Sequence, residues 1–490
     1  MPIVRTALRW YYRSIAVAGR SRVPITGPVF LAVNHPNALV DALVVAAVMP
    51  RRVHFTAKAT IFANPAVGAF LRAGGAIPLK RAADEAKKVA TPAEAYSSDS
   101  KEKIAYESGA ASQQIAPSTA NAKSAIDPAR NAESFRAVSE ALAKGNAIVI
   151  FPEGKSHDDP HLAPLRTGLA RMALLARDTF QVRGIKIVPV GLLFEQKEAP
   201  RSRILIQVGE AIDVDSVPTG TYAVESLMSM VSERLNAVTL NFESKEDAAS
   251  IARVSETLAA LLEPTIKITD GGPPLSSILA LARRTDRVRQ VLSGEVPIAL
   301  RERAIEFQTR LDAFRAQLNR EQIDATDLQI EVDATPGVRF AIRESMLAAL
   351  LLPISWWGRI THFIPIRVAR MLALRGAKNR DEPAMNTLVI GVVLVLLTYA
   401  VLTTAVGLLF GFWWALAFFI TLIPSASSDL RYGDRVARLR KRMHAYLVFR
   451  ERPDLRRELL GEADWLRREA GTIEQLTSDV VSVAQRTSLE

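Results

Sequence analysis

The sequence predicts an α/β domain built on a mainly buried sheet, then a helical extension and a C-terminal transmembrane helical hairpin. Three observations carry this prediction. Short apolar runs alternate with helical patterns from Val29 to Val208. Ala, Leu, Arg and Glu then recur at helical spacing through residues 220–345. Finally, no charged side chain occurs between Thr387 and Ile423.

At 490 residues and 49% hydrophobic content, the chain is long enough for roughly two to four structural units. A formal net charge of +11 calls for an anionic partner: nucleic acid, anionic lipid or a phosphorylated small molecule. The absence of cysteine excludes disulfides, thiolate metal sites and a cysteine nucleophile.

Residues 1–24 open on apolar stretches broken by Arg5, Arg9 and Arg13, so they do not read as a cleaved export signal. Arginines interleaved with Trp10, Tyr11 and Tyr12 at helical spacing predict an amphipathic helix at a membrane surface. The α/β domain occupies residues 25–219. Its strands are expected at VFLAV, VHFT, AIPL, NAIVIF, KIVPVGLLF and RILIQV, and its helices in DALVVAAVM, PAVGAFLRA, AESFRAVSEALAKG and after Arg166. Residues 82–130 interrupt the alternation with an Ala, Ser, Lys and Glu-rich stretch lacking Leu, Phe, Met and Trp, so they are expected to be a disordered insertion.

Residues 220–345 read as a helical extension with a turn at Gly271-Gly272-Pro273-Pro274; the basic run at Arg283, Arg284, Arg287 and Arg289 reads as a solvated helix face. Residues 346–385 are apolar but interrupted by Pro353, Arg359, Pro365 and Arg367, which predicts an interfacial segment rather than a span. Residues 386–428 are long enough for two transmembrane helices, with the reversal near Gly407 to Gly411 and with Trp413 and Trp414 as interfacial anchors. Arg367, Arg370, Arg375, Lys378 and Arg380 flank this hairpin on one side, and Arg431, Arg435, Arg438, Arg440, Lys441 and Arg442 on the other. The positive-inside rule therefore puts both ends, and a charged helical tail at 429–490, in the cytoplasm. High alanine and arginine usage fits a bacterial inner membrane.

The chemistry concentrates at strand ends. NHPNALVD follows the first buried strand, so His35, which precedes Pro36, falls in the turn, and Asp41 lies inside the following helix, where its carboxylate can fold back beneath the imidazole. A neutral histidine is a suitable base near pH 7, and a buried carboxylate on its other nitrogen fixes the tautomer. A second strand ends in FPEGKSHDD, where Pro152 and Gly154 permit a sharp turn, Glu153 can brace a neighbour, and Lys155 and Ser156 suit a phosphate. GGAIPLKR adds Lys80 and Arg81 at a third junction. The cluster of His157, Asp158, Asp159 and His161 reads as a polar loop at the mouth of a pocket rather than a metal site.

In order and approximate spacing, NHPNALVD, GGAIPLKR, FPEGKSHDD and IVPVGLLF resemble the four motifs of the glycerol-3-phosphate and lysophosphatidate acyltransferase superfamily, over roughly residues 25–212. The resemblance implies a mixed sheet flanked by helices, an acyl-CoA or acyl-carrier-protein donor, and no metal or other cofactor. It makes His35 the catalytic base and Asp41 its orienting partner. Arg81, Glu153 and Gly154 would belong to the acyl-acceptor site, and Pro189 marks the fourth motif, associated with donor binding. Asn34 accompanies the first motif, while Lys58 and Arg166 sit where relatives carry basic residues. HPNALVD has one residue more between His35 and Asp41 than the usual pattern, and Lys155-Ser156 replaces the usual Thr-Arg. The longer spacing resembles a branch that acylates glycerol-3-phosphate.

The expected activity is thus acyl transfer to glycerol-3-phosphate at a membrane. Acylation of a lysophosphatidate or another lysophospholipid is the alternative within the class, and a non-catalytic lipid-binding membrane protein the alternative outside it. No nucleic-acid-binding module is recognisable, and the basic residues cluster beside apolar spans, so membrane lipids, the acyl carrier and a small phosphorylated acceptor are the expected partners.

Overall fold

The structure is a computed structural model that describes residues 2–59, 62, 68, 75–79, 128–262, 272–328, 330, 334–376 and 382–487. Eight strands form one sheet: β1 (Ser14–Ala18), β2 (Val29–Val33), β3 (Val53–Lys58), β4 (Ala76–Leu79), β5 (Ala147–Ile150), β6 (Lys186–Phe194), β7 (Arg203–Val208) and β8 (Ile212–Asp213). Their order is β1-β7-β6-β2-β5-β3-β4, with β8 also on β6. From β6 to β4 all neighbours are parallel, whereas β7 and β8 run antiparallel to β6 and β1 runs parallel to β7. The mixed sheet is therefore the expected one. Because β2, β3, β4 and β5 are parallel, the segments that leave their C-terminal ends emerge at one edge, where sites collect in such folds.

Alternation along β2 sorts its side chains between two cores. Val29, Leu31 and Val33 face helices α1 (Pro2–Tyr11) and α2 (Ala38–Val48), while Phe30 and Ala32 face α3 (Pro128–Ala143), α4 (Gly168–Asp178) and α5 (Ala223–Asn236). All five are fully buried, which is why this strand reads as a continuous apolar run. The helix α3 begins at Pro128, so the last three residues of the insertion expected at 82–130 are helical; residues 82–127 lie outside the described residues, as does the helix expected at PAVGAFLRA, apart from Gly68.

The N-terminal reading needs correction. The amphipathic helix expected across residues 1–24 ends at Tyr11, and Ser14–Ala18 becomes an edge strand. Arg201 imposes the stop: its guanidinium donates to the carbonyls of Arg9, Trp10 and Tyr12, satisfying acceptors left over at the helix end, where a cation also suits the helix dipole. Arg201 also pairs with Asp434, which ties this end to the C-terminal helices.

Four further helices follow, α6 (Lys245–Leu262), α7 (Leu275–Ser293), α8 (Ile298–Arg320) and α9 (Ala334–Gly376), then α10 (Glu382–Phe410), α11 (Phe412–Glu451) and α12 (Pro453–Thr487). The expected extension and tail prove to share one core, in which Phe307, Leu311 and Phe314 of α8 pack with Phe449 of α11 and Leu459 and Leu466 of α12. Each of these amphipathic helices carries one apolar stripe, and pairing them over more than a hundred residues buries what no local neighbour covers. Ion pairs from Arg303 to Glu469 at 2.7 Å and from Arg310 to Glu462 at 2.6 Å align α8 with α12. The basic run on α7 is likewise engaged: Arg284 pairs with Glu474, and Arg289 with Asp286 at 3.2 Å.

The segment expected to be interrupted at Pro353 and Pro365 is instead part of one 43-residue helix, α9. Each proline removes a single amide donor, and packing on both neighbours outweighs that loss. Gly358 marks the tightest approach: a Cβ there would lie 2.1 Å from the Ser425 carbonyl oxygen of α11. By length and composition, two helices among the described residues are able to cross a membrane, Ser345–Arg375 within α9 and Ala384–Phe410 within α10. The chain breaks between α10 and α11 at Gly411, whose φ of 90° favours glycine, within the expected 407–411; of the two spans expected at 386–428, however, only that in α10 is among these two, and the other lies in α9, where an interfacial segment was expected. Ala384 and Leu388 of α10 join the core that β2 shares with α1 and α2, so α10 is seated on the two helices that cover this face of the sheet.

Candidate active site

β2 and β5 are parallel neighbours with Val29 opposite Ala147, so the loops that follow Val33 and Ile150 leave the sheet side by side. This places NHPNALVD and FPEGKSHDD together. Asn34 extends the pairing of β2 with β6: its Oδ1 accepts the Leu192 N–H at 2.7 Å and its Nδ2 donates to the Leu192 carbonyl at 3.2 Å. The side chain substitutes for a strand residue and fixes the point where the chain turns out to His35.

His35 Nδ1 lies 2.9 Å from Asp41 Oδ2. The same oxygen accepts the Asn37 N–H at 2.7 Å. Asp41 is wholly buried, and burial pushes its carboxyl above the ordinary carboxylate range; the hydrogen bond from His35 and the Asn37 N–H pull the other way. With Asp41 ionised, the imidazole carries its proton on Nδ1 and presents the Nε2 lone pair. Nε2 is hydrogen-bonded to no other described residue, and the side chain is 18% exposed. Phe151 stacks on the imidazole with centroids 3.9 Å apart and planes 15° from parallel, so the ring plane is held from one face.

The extra residue between His35 and Asp41 is absorbed locally. Ala38 adopts φ 45°, an uncommon conformation for a residue with a Cβ, and fully buried Asn37 occupies the N-cap position of α2 without a side-chain capping bond. That kink tucks the first turn of α2 under the imidazole and keeps the carboxylate in reach. Asn37 Nδ2 donates to the Lys197 carbonyl at 3.3 Å, which links this turn to the loop between β6 and β7.

Glu153 joins the two motifs. Its Oε1 accepts the His35 backbone N–H at 2.7 Å, and its Oε2 accepts the Ala163 N–H at 2.8 Å and the Nε2–H of His157. The His157 N–H donates in turn to the His35 carbonyl at 3.3 Å. Both oxygens are thus engaged within the protein, and Glu153 is 2% exposed. Sequence reasoning assigned His157 to a polar loop; it lies beneath that loop as a partner of Glu153, and its i, i+4 spacing from Glu153 was the available signal. Glu153→Gln would turn an amide NH2 toward at least one of these donors. Its thermal unfolding midpoint is expected to fall by an amount equivalent to about 1–3 kcal/mol; an unchanged midpoint would contradict the brace.

The remaining predicted residues divide. Gly154 takes φ 78° and packs against Arg166, whose Cγ would be 3.4 Å from a Cβ at that position. Lys155 and Arg166 are exposed, and Ser156 is half-buried beside them. Pro189 is buried in β6 opposite Ala32, where its carbonyl accepts the Gly209 N–H at 2.9 Å. Lys58 ends β3, paired with Leu79 of β4. Lys80 and Arg81, which follow Leu79, lie outside the described residues. Among the described residues no group of three His, Asp or Glu is placed to hold a metal ion.

The family model described as Acyltransferase matches residues 14–193, a range that contains both motif loops. A glycerol-3-phosphate O-acyltransferase of Saccharomyces cerevisiae is 35% identical over 120 residues, which are 23% of this chain and 16% of that protein. An uncharacterized acyltransferase of Schizosaccharomyces pombe is 24% identical over 300 residues, 49% of this chain and 43% of its own length. The chain therefore spans less than half the length of either of these relatives. The crystal structure of the 1-acyl-sn-glycerophosphate acyltransferase of Thermotoga maritima aligns with a TM-score of 0.32 at 16% identity, over 48% of this chain and 77% of that one. Residues 14–193 thus match the Acyltransferase family, and the four ordered motifs within and at the end of that range resemble those of the glycerol-3-phosphate and lysophosphatidate acyltransferase superfamily.

Proposed function

We propose that this protein is a membrane-bound O-acyltransferase that moves a fatty acyl group from acyl-CoA, or from acyl carrier protein, to a hydroxyl of glycerol-3-phosphate. The observation that carries the reading is the imidazole of His35, held by Asp41 through Nδ1 at 2.9 Å with Nε2 open. In this reading Nε2 removes the acceptor hydroxyl proton while the oxygen attacks the thioester carbonyl. Collapse of the tetrahedral intermediate breaks the C–S bond, and the imidazolium returns the proton to the thiolate. Asp41 stabilises the imidazolium between these steps. Exposed Lys155 and Arg166, with Ser156, Lys80 and Arg81, supply the cationic and polar groups for the acceptor phosphate. Gly154 lets that loop turn close to the acceptor, and Glu153 keeps the loop against His35.

Placement at a membrane is supported by α9 and α10 and by the tip between α10 and α11, where Leu408, Leu409, Phe410, Phe412, Trp413 and Trp414 are each at least 67% exposed. The basic flanks of these helices favour a cytoplasmic active site.

An acceptor panel tests the reading. Wild-type protein in membranes, given labelled acyl-CoA, is expected to acylate glycerol-3-phosphate with a kcat/KM at least about tenfold above that for lysophosphatidate, as expected of a site built to pair with the small acceptor's polar groups. Preference for lysophosphatidate would move the protein to the second acylation step, and silence toward every acceptor would remove the enzymatic reading.

A further inference from the structure

Helix α1, the loop between β6 and β7, and helices α9 and α10 line an open-sided cavity of about 1060 Å³. Small-molecule sites usually measure roughly 300–1,000 Å³, so this one takes a large ligand. Apart from Asp158, every residue that lines it lies outside the acyltransferase match at 14–193. Its wall on the helix side is mostly hydrocarbon, with Ile366 and Leu374 of α9 and Leu388, Val392 and Val395 of α10, interrupted by Arg370. Gly391 leaves a recess in that wall, since a Cβ there would meet only Ala369, at 3.8 Å.

One end of the cavity adjoins the candidate active site. Lys197 and Asp158 both line it and pair with each other at 2.9 Å. The carbonyl of Lys197 is the acceptor for Asn37 Nδ2, two residues from His35, and Asp158 directly follows His157, whose N–H bonds the His35 carbonyl. Arg370 lines the same space. At that end an occupant meets the Lys197–Asp158 pair and a loop of the candidate site, and along the helices it meets mainly apolar side chains.

We infer that this cavity holds the hydrocarbon chain of the acyl donor, so that α9 and α10, rather than the α/β domain alone, set which chain lengths are transferred. The inference rests on the acyl-transfer reading. Its physical basis is burial: each methylene moved from water into the cavity favours binding, and a chain too long for the space loses that contribution and strains its surroundings.

Two measurements test it. The first compares donors from decanoyl- to stearoyl-CoA with wild type, Gly391→Leu and Val392→Phe, both of which fill the recess. The ratio of long-chain to short-chain kcat/KM is expected to fall on the order of tenfold in each variant. An unchanged ratio in an active variant would overturn the inference. The second needs no variant. A thioether analogue of palmitoyl-CoA, which cannot transfer its chain, carries a photoreactive group at the methyl end and is bound to wild-type protein in bilayers. Cross-links between Ile366 and Leu374 or between Leu388 and Tyr399, displaced by unlabelled palmitoyl-CoA, are expected. Cross-links confined to residues 14–193, or undiminished by the competitor because bulk lipid fills the space, would overturn it. Displaceable labelling in a protein silent toward all acceptors would sink the enzymatic reading and leave the cavity assignment standing.

Discussion

His35→Ala is expected to lower the rate of acyl transfer by about three orders of magnitude, within the roughly 10²–10⁴ range that a general base contributes. The substitution removes Nε2 but leaves the backbone that orders the site. The His35 N–H still donates to Glu153 and its carbonyl still accepts from His157. The ring is only 18% exposed and its loss takes a partner from buried Asp41, so the fold of the variant is checked by its unfolding midpoint. A loss of activity accompanied by an unchanged unfolding midpoint and undiminished binding of the thioether analogue would assign the effect to chemistry. A comparable loss caused by unfolding would not.

Asp41→Asn has the second largest expected effect, a fall of about 10²–10⁴ in kcat with little change in KM. The wild-type carboxylate accepts from both His35 Nδ1 and the Asn37 N–H through one oxygen. An amide in its place either turns its NH2 toward that pair or, with its oxygen retained there, stabilises the imidazolium far less than a buried anion does. Proton removal from the acceptor then becomes unfavourable even though the donor binds as before. Retention of more than about a tenth of the wild-type kcat would mean that Asp41 serves only to pack α2 against the turn.

Much of this arrangement was readable in one dimension, and the reasons for the rest are specific. VFLAV and AIVI are unambiguous because strands of a parallel sheet are buried on both faces, and the ends of those strands carried the two site motifs. SIAVA was hidden for the opposite reason: it is a five-residue edge strand that continues an amphipathic helix, and the boundary is enforced by Arg201, nearly two hundred residues away. Pro353 and Pro365 suggested breaks in α9 because the cost of a missing amide is local and visible, whereas the compensating contact of Gly358 with Ser425 is distant. At the site, the six-residue separation of His35 and Asp41 suggested a dyad. The engagement of both Glu153 oxygens was not legible, since a glutamate beside a glycine turn looks equally suited to bracing a neighbour and to meeting a substrate. Only the register of β2 on β5 settles which backbone amides it reaches.

The central claim is that His35, oriented by Asp41, activates an acceptor hydroxyl for attack on an acyl thioester. Its most direct test is the transfer of label from acyl-CoA, and separately from acyl carrier protein, to glycerol-3-phosphate in membranes that contain equal amounts of folded wild-type or His35→Ala protein. The account predicts an acylated product that forms with wild type and falls about a thousandfold with the variant. Equal rates from the two proteins, or no product from folded wild type with either donor, would contradict it.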